Sequence, residues 1–297
     1  MVSLGRLNGS SVGAFSKILR TNCNSDFLKH NPNYLIRSLR NNCSSIEASN
    51  DKKFDDSKYS QSLKDGVIPK HVVIILDGNR RWLKARGLKL DYKPYLIAEM
   101  KFVDYCLKWG IGTATSYVYG LGNVEKRTKE ETDVLLGQFE TNLEEELENF
   151  TRNGVRVWVV GEKRMLSESC QATVKKVEEA TKHNTKLDFI LAVCYSSQRD
   201  IVHATRKICK KLREGSIAEE DVNEDLIEQH LSLCGSRPLP DLFIRTGGGQ
   251  KRIGMLLGWQ VGHIELYFSD SLAPDFGEDV FLDALRSYQL RDRMFGK

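Results

Sequence analysis

No apolar run in this 297-residue chain approaches the length of a bilayer span, so a lipid-like ligand is expected to come to the protein, with no stable membrane insertion. The seven cysteines (23, 43, 106, 170, 194, 209 and 234) form no CxxC pair and have no histidine at zinc spacing. Their odd count, with Cys106 and Cys209 in helical patterns, points to reduced and mostly buried thiols. No GxGxxG follows the first strong strand, which argues against a dinucleotide site and leaves a nucleotide-binding module without its usual phosphate loop. Internal repeats are missing, and so are low-complexity tracts inside the folded part.

Acidic residues are nearly missing from the start of the chain. Residues 1–46 hold Arg6, Lys17, Arg20, Lys29, Arg37 and Arg40 against Asp26 alone, a net +5, whereas the whole chain is +4. The remainder is therefore −1, close to neutral, which argues against a nucleic-acid binder. A leader rich in Ser, Asn and Arg, poor in acid and without an apolar core reads as an organelle transit peptide, of plastid rather than mitochondrial type. We place the leader at residues 1–49, a linker of mixed charge at 50–68 and one folded domain at 69–297.

What is present is ordinary for a folded protein, 40% hydrophobic and 28% charged. Val72–Leu76 is a continuous β-branched and apolar run, the pattern of a strand covered on both faces. Further strands are expected over 113–119, 155–160, 187–193, 242–244 and 265–268. Helical patterns fill the gaps: a short basic helix to about Gly87, then 94–109, 128–153 (opened by a capping box at Thr128 and Glu131), 167–181, 201–212, 224–230 and 278–295. Strands alternating with helices predict an α/β fold, a single domain with a mostly parallel central sheet flanked by helices.

The first strand ends abruptly in Asp77-Gly78-Asn79-Arg80-Arg81-Trp82. Open α/β sheets bind ligands at the carboxyl ends of their strands. A carboxylate there can hold Mg²⁺, and guanidiniums fork onto phosphate oxygens. The bland alternative stays open at this point: a strand-to-helix turn with Asp77 as helix N-cap and solvated arginines.

His71–Trp82 (HVVIILDGNRRW), together with Arg245-Thr246-Gly247-Gly248, Trp259-Gln260 and Glu265-Leu266-Tyr267-Phe268, resembles the signatures of the cis-prenyltransferases, the undecaprenyl diphosphate synthase-like family. The resemblance runs from about Pro69 to Gly296 and is specific at family level. It implies an apolar tunnel between the sheet and two long helices, here 94–109 and 128–153, in a homodimer. It also implies an electrophilic reaction in which an allylic diphosphate ionises, the double bond of a second five-carbon diphosphate attacks, and a proton leaves.

Carried over residue by residue, Asp77 matches the family's essential aspartate, supporting Mg²⁺ and the leaving diphosphate. Asn79 and Arg81 match allylic-diphosphate contacts, with Gly78, Arg80 and Trp82 beside them. Arg245 and Arg252 match the arginines of the second diphosphate, and Glu265 the second Mg²⁺ carboxylate. Departures cluster. Where the family has Gly-His-Lys stands Asp91-Tyr92-Lys93, and Ser-x-Glu-Asn-Trp becomes Gly120-Leu121-Gly122-Asn123-Val124. Arg127 fits the next arginine only with one residue inserted. Asn-Tyr-Gly-Gly becomes Cys194-Tyr195-Ser196-Ser197, and Arg-x-Ser becomes Arg252-Ile253-Gly254, losing a hydroxyl donor. Tyr92, Asn123, Arg127 and Gly254 are thus substrate-binding candidates in altered surroundings.

Val118 and Leu187 are candidate tunnel positions; the resemblance implies that long-chain members usually carry a smaller residue at 118, which favours a short product, and the alternative that Val118 is simply a good β-former stays open. The leading expectation is a plastid, Mg²⁺-dependent, short-chain cis-prenyl diphosphate synthase joining dimethylallyl and isopentenyl diphosphate. Two rivals stay open: head-to-middle coupling of two dimethylallyl diphosphates, as the altered second site allows, and a non-catalytic partner subunit of another prenyltransferase.

Overall fold

The structure, a computed structural model, describes residues 63, 66–233 and 237–291. The leader at 1–49 and most of the linker lie outside the described residues. All described residues belong to one compact unit, Tyr59–Lys297.

Six strands form one sheet: β1 (His71–Ile75), β2 (Thr113–Gly120), β3 (Val155–Val160), β4 (Leu187–Tyr195), β5 (Leu242–Arg245) and β6 (Glu265–Phe268). Their order is β3-β4-β2-β1-β5-β6, and every neighbouring pair is parallel. The main helices are α1 (Asn79–Ala85), α2 (Lys93–Lys108), α3 (Leu121–Val124), α4 (Lys129–Asn153), α5 (Glu168–Thr181), α6 (Ser197–Arg213), α7 (Glu224–His230) and α8 (Glu278–Gln289). The continuation of the last helix expected beyond residue 291 lies outside the described residues.

Strand β1 shows why the sheet is buried on both faces. Val72 and Ile74 pack into one core with Leu96, Phe102, Phe139 and Phe281, whereas Val73 and Ile75 pack into a second with Ile190, Phe243 and Leu257. A strand that must satisfy two apolar faces has no room for alternation, hence its unbroken run. The chain leaves β1 toward β2 and returns to the other side of β1 as β5, so β1 and β5 flank the point where strand order reverses. That switch point is where an open parallel sheet leaves a crevice at its carboxyl edge.

The β2–β4 pairing contains two irregularities. Tyr117 pairs with Ala192, Tyr119 with Val193 and Gly120 with Tyr195, so Val118 and then Cys194 are each left without a partner. Cys194 takes up a left-handed φ of 49°. A bulge of this kind re-aims side chains. Val118 and Tyr119, consecutive in sequence, accordingly both face the helix pair α2 and α4.

Helix α4 starts with half of the expected capping box. The Thr128 hydroxyl accepts from the Glu131 backbone N–H at 3.2 Å, but the Glu131 carboxylate reaches away to other partners, described below. Cys106, Cys170 and Cys194 are buried free thiols and Cys209 an exposed one; burial pushes the Cys194 thiol up to about 11. His71 is structural. It is fully buried, with Nδ1 2.8 Å from the Pro238 carbonyl and Nε2 2.8 Å from the Thr115 hydroxyl.

Candidate active site

Immediately after β1, the backbone of Asp77 is fixed from three directions. Its N–H donates to the Thr246 hydroxyl at 2.9 Å, and its carbonyl accepts from that same hydroxyl and from the Ala273 N–H, each at 2.9 Å. Thr246, fully buried after β5, thus ties the ends of β1 and β5 together. Asp77 is not a helix cap. The cap of α1 is Gly78, whose φ of 110° turns the chain sharply and whose missing side chain leaves space to Leu272.

The Asp77 carboxylate then meets two guanidiniums. Oδ2 accepts from Arg245 Nη2 at 2.7 Å and Oδ1 from Arg81 Nη2 at 3.4 Å. Arg81 is oriented by its second nitrogen, which donates to the Gly247 carbonyl at 2.7 Å. Gly247 is required here, since with φ 131° a Cβ would stand 3.1 Å from both Arg81 Nη2 and Asp77 Cβ. Arg245 is nearly fully buried and also donates to the Arg252 carbonyl.

A second cluster closes the other wall. The Tyr92 hydroxyl donates to Glu131 Oε1 at 2.8 Å and accepts from Arg127 Nη1 at 2.8 Å. Arg80 and Arg127 both lie 3.4 Å from Glu131 Oε1. The Arg127 guanidinium stacks 5.2 Å from the ring of Tyr119, the residue that the β2 bulge turned to this side. Burial, with a hydrogen bond to a carboxylate, pushes the Tyr92 phenol far above its ordinary range, so it stays protonated. Asn79 donates to the Asp91 carbonyl at 2.8 Å.

Between these clusters lies a cleft of about 320 Å³, lined by Leu76, Asp77, Gly78, Asn79, Arg80, Arg81, Lys84, Tyr92, Tyr95, Val118, Arg127 and Leu135. Its two ends differ in chemistry. The mouth is lined by four cationic side chains and the Asp77 carboxylate, with Glu131 paired behind Arg80 and Arg127, and the inner end is formed by Leu76, Tyr95, Val118 and Leu135. Asn79 Oδ1, Arg127 Nε and Arg245 Nε are buried without a hydrogen-bond partner. Buried polar atoms ordinarily have partners, so these point to a polar ligand between them. The arrangement suits a molecule with a polyanionic head and a short apolar tail.

Eight residues expected at the site therefore come together: Asp77, Gly78, Asn79, Arg80, Arg81, Tyr92, Val118 and Arg127. Others lie apart from this cleft. Trp82 faces outward, donating from Nε1 to Asp275 at 2.7 Å beneath the Arg86 guanidinium. Asn123 lies in α3, where its carbonyl accepts from the Lys126 and Arg127 N–H groups. The Arg252 side chain is exposed, and Gly254 faces Arg245 from the far side of Asp77. Leu187 is buried in the core that includes α2 and α4, but at the amino edge of the sheet.

Glu265 is a correction. It opens β6 and pairs with Leu242, whereas Arg245 pairs with Phe268, so Glu265 lies at the amino edge of the sheet and Asp77 beyond its carboxyl edge. Its carboxylate is engaged by Arg291 Nη1 at 2.5 Å. Within one chain the two carboxylates cannot share a cation. Among the described residues no three His, Cys, Asp or Glu side chains converge as a metal site. Asp77 alone remains, one-third exposed at the cleft. Mg²⁺ accepts one carboxylate when phosphate oxygens and water complete its shell, so the donor set fits Mg²⁺ brought with a diphosphate.

Thr246, Tyr95 and Glu131 are residues of the site to which sequence reasoning gave no role there. Glu131 carried a signal, but it matched a helix cap; Thr246 stood inside the Arg245–Gly248 signature, and Tyr95 carried no signal beyond its neighbours.

Comparison with known proteins agrees with this geometry. The family described as "Putative undecaprenyl diphosphate synthase" matches residues 75–296. The chain is 41% identical over 250 residues to cis-prenyltransferase 4, chloroplastic, of Solanum lycopersicum, covering 83% of this chain and 80% of that one. It is 43% identical over 233 residues to the (2Z,6Z)-farnesyl diphosphate synthase CPT6, chloroplastic, of the same plant, covering 77% and 80%. Its fold superposes with a TM-score of 0.73 on lavandulyl diphosphate synthase from Lavandula x intermedia, solved in complex with dimethylallyl diphosphate, at 34% identity and covering 77% and 98%. The chain belongs to the undecaprenyl diphosphate synthase-like family of prenyltransferases.

Proposed function

We propose that this prenyltransferase condenses dimethylallyl diphosphate with isopentenyl diphosphate, with Mg²⁺, to a short prenyl diphosphate of about two to four isoprene units, the limit being cavity volume. The observation that carries the reading is the cleft itself: a cationic mouth around Asp77 and a short apolar end closed by Tyr95, Val118 and Leu135.

In this reading Arg81, Arg80, Arg127 and Lys84 hold the allylic diphosphate, and Arg127 Nε gains the partner it lacks. Mg²⁺, held by Asp77, would neutralise charge building on the departing diphosphate. Arg245, with Arg252 and the backbone beside Gly254, holds the second diphosphate across Asp77. The allylic C–O bond breaks, diphosphate leaves, the double bond of the second substrate forms the new C–C bond, and a proton is lost from that substrate. Among the described residues no histidine lines the cleft, and in this reading a diphosphate oxygen accepts the proton. Tyr95, Val118, Leu135 and Leu76 exclude water from the cation.

The test supplies the full-length protein with Mg²⁺ and both substrates, and identifies dephosphorylated products by chromatography and mass spectrometry. A C10–C20 product formed only with both substrates supports the reading; folded protein silent with every combination would move the partner-subunit role forward. Retention of Asp77, Arg81 and Arg245 in one contact network speaks against that role, because a scaffold needs none of their charge. A second reading, head-to-middle coupling of two dimethylallyl diphosphates, is favoured by the likeness to lavandulyl diphosphate synthase and by Gly254, which offers no hydroxyl beside Arg245. Product from dimethylallyl diphosphate alone would decide for it.

We further propose that residues 1–49 address the chain to the plastid, in keeping with chloroplastic relatives, and that residues 69–297 form the catalytic domain as a homodimer. A fluorescent fusion of residues 1–49 that stays outside plastids would refute the first.

A further inference from the structure

The inner end of the cleft is built in layers. Helices α2 and α4 both start at the carboxyl edge of the sheet and run away from it. Tyr95, Val118 and Leu135 therefore form the first layer, and residues one helical turn further along α2 and α4, or two back along β2, form the next. In that second layer stand Glu99 and Ser116, beside Phe139.

This layer is out of character with its surroundings. Glu99, Tyr95 and Ser116 are each at most 4% exposed, and the core beyond them is apolar. The Tyr95 hydroxyl donates to Glu99 Oε1 at 3.0 Å, and the Ser116 hydroxyl donates to the same oxygen. Neither cationic cluster reaches the carboxyl, and burial holds its pKa up at about 7. A buried carboxyl in an apolar core is unfavourable unless something is gained from it, and a leucine would fill the same space without that penalty.

We infer that Glu99, held by the Tyr95 and Ser116 hydroxyls, is a polar floor that stops the growing prenyl chain at Tyr95. The inference rests on the prenyl-transfer reading of the cleft. An apolar floor yields to a longer chain, because aliphatic side chains shift around one another without losing hydrogen bonds. Glu99 cannot yield in that way: a chain entering its layer must part the carboxyl from one or both hydroxyls and leave them buried and unpaired. Val118 narrows the cleft from the side, and Glu99 ends it. The ring of Tyr95 belongs to the wall and its hydroxyl to the floor, which makes that residue the hinge of the arrangement.

The experiment reads binding, so that it does not depend on turnover. Non-ionising allylic thiolodiphosphates of five, ten and fifteen carbons are titrated calorimetrically into full-length protein with Mg²⁺. The wild type is expected to bind the shorter tails and to lose at least tenfold in affinity by fifteen carbons. Glu99→Met keeps the bulk of the floor and removes its carboxyl, and the discrimination should disappear while five-carbon affinity stays as in the wild type. Glu99→Gln, which keeps a polar floor, should retain it. Persistence of the loss in Glu99→Met, or no loss in the wild type, overturns the polar floor. If Glu99→Met does not fold, Glu99→Leu carries the same expectation. A wild type that binds no diphosphate of any length refutes the prenyl-transfer reading itself, an outcome distinct from unchanged discrimination.

Discussion

Asp77 and Arg245, 168 residues apart in sequence, meet at 2.7 Å across the switch point of the sheet. The guanidinium is buried and the carboxylate faces the cleft, so the pair joins the protein interior to the cleft. Replacing Asp77 with Ala leaves Arg245, among the described residues, with the Arg252 carbonyl as its hydrogen-bond partner, and takes away the carboxylate proposed to hold Mg²⁺. Turnover should fall by about 10²–10³ or more, by analogy with loss of one preorganised electrostatic partner. Steady-state kinetics checks this, with a melting curve to show that the variant is folded; near wild-type turnover would refute the site.

The Tyr92 hydroxyl should act as a positioning group. It links Glu131 to Arg127, and both arginines of that wall depend on Glu131. Tyr92→Phe removes one donor and one acceptor, with a stability loss of about 1–2 kcal/mol. The larger effect should fall on KM for the allylic substrate, because Arg80 and Arg127 lose their common anchor. A kcat effect without a KM effect would contradict this role.

Much of the site was legible because its signals are local. The apolar run of β1 and the residues that follow it fix a strand end, and parallel sheets place ligands there. What was not legible depends on pairing between distant segments. Glu265 stands in a motif, but the motif does not tell which edge of the sheet it occupies; register with Leu242 does. The bulge that turns both Val118 and Tyr119 toward the helices is an extra β2 residue, Val118, opposite β4, and it shows only once the two strands are paired. Glu131 fits a capping box, and its side chain instead found two guanidiniums and a phenol, stronger partners than one backbone N–H. Glu99 lies within an ordinary helical pattern, and nothing near it in sequence announces its burial.

His71 predicts acid sensitivity. Burial depresses its pKa from 6.5 to about 4, so the folded state binds its proton less readily than the unfolded state. The stabilising effect is present above pH 6.5 and is lost as pH falls toward 4. Up to about 3 kcal/mol is at stake, since each pKa unit corresponds to about 1.4 kcal/mol. Denaturant melts of wild type and His71→Gln should converge as pH falls through this window, and parallel curves would refute the assignment.

Glu99 predicts the opposite slope. Its pKa rises on folding from 4.5 to about 7, so the folded state holds the proton more tightly. Its contribution is most favourable below pH 4.5 and is lost as pH rises through 7, where the buried carboxyl must ionise or the fold must open. Glu99→Gln keeps the hydrogen bonds of a neutral side chain without a titrating group. Its stability relative to wild type should therefore increase between pH 5 and 8, by on the order of 1–3 kcal/mol. Urea melts at half-unit pH steps measure this. A constant difference would mean that Glu99 titrates as it does in the unfolded chain, and that the layer beneath Tyr95 is open to water.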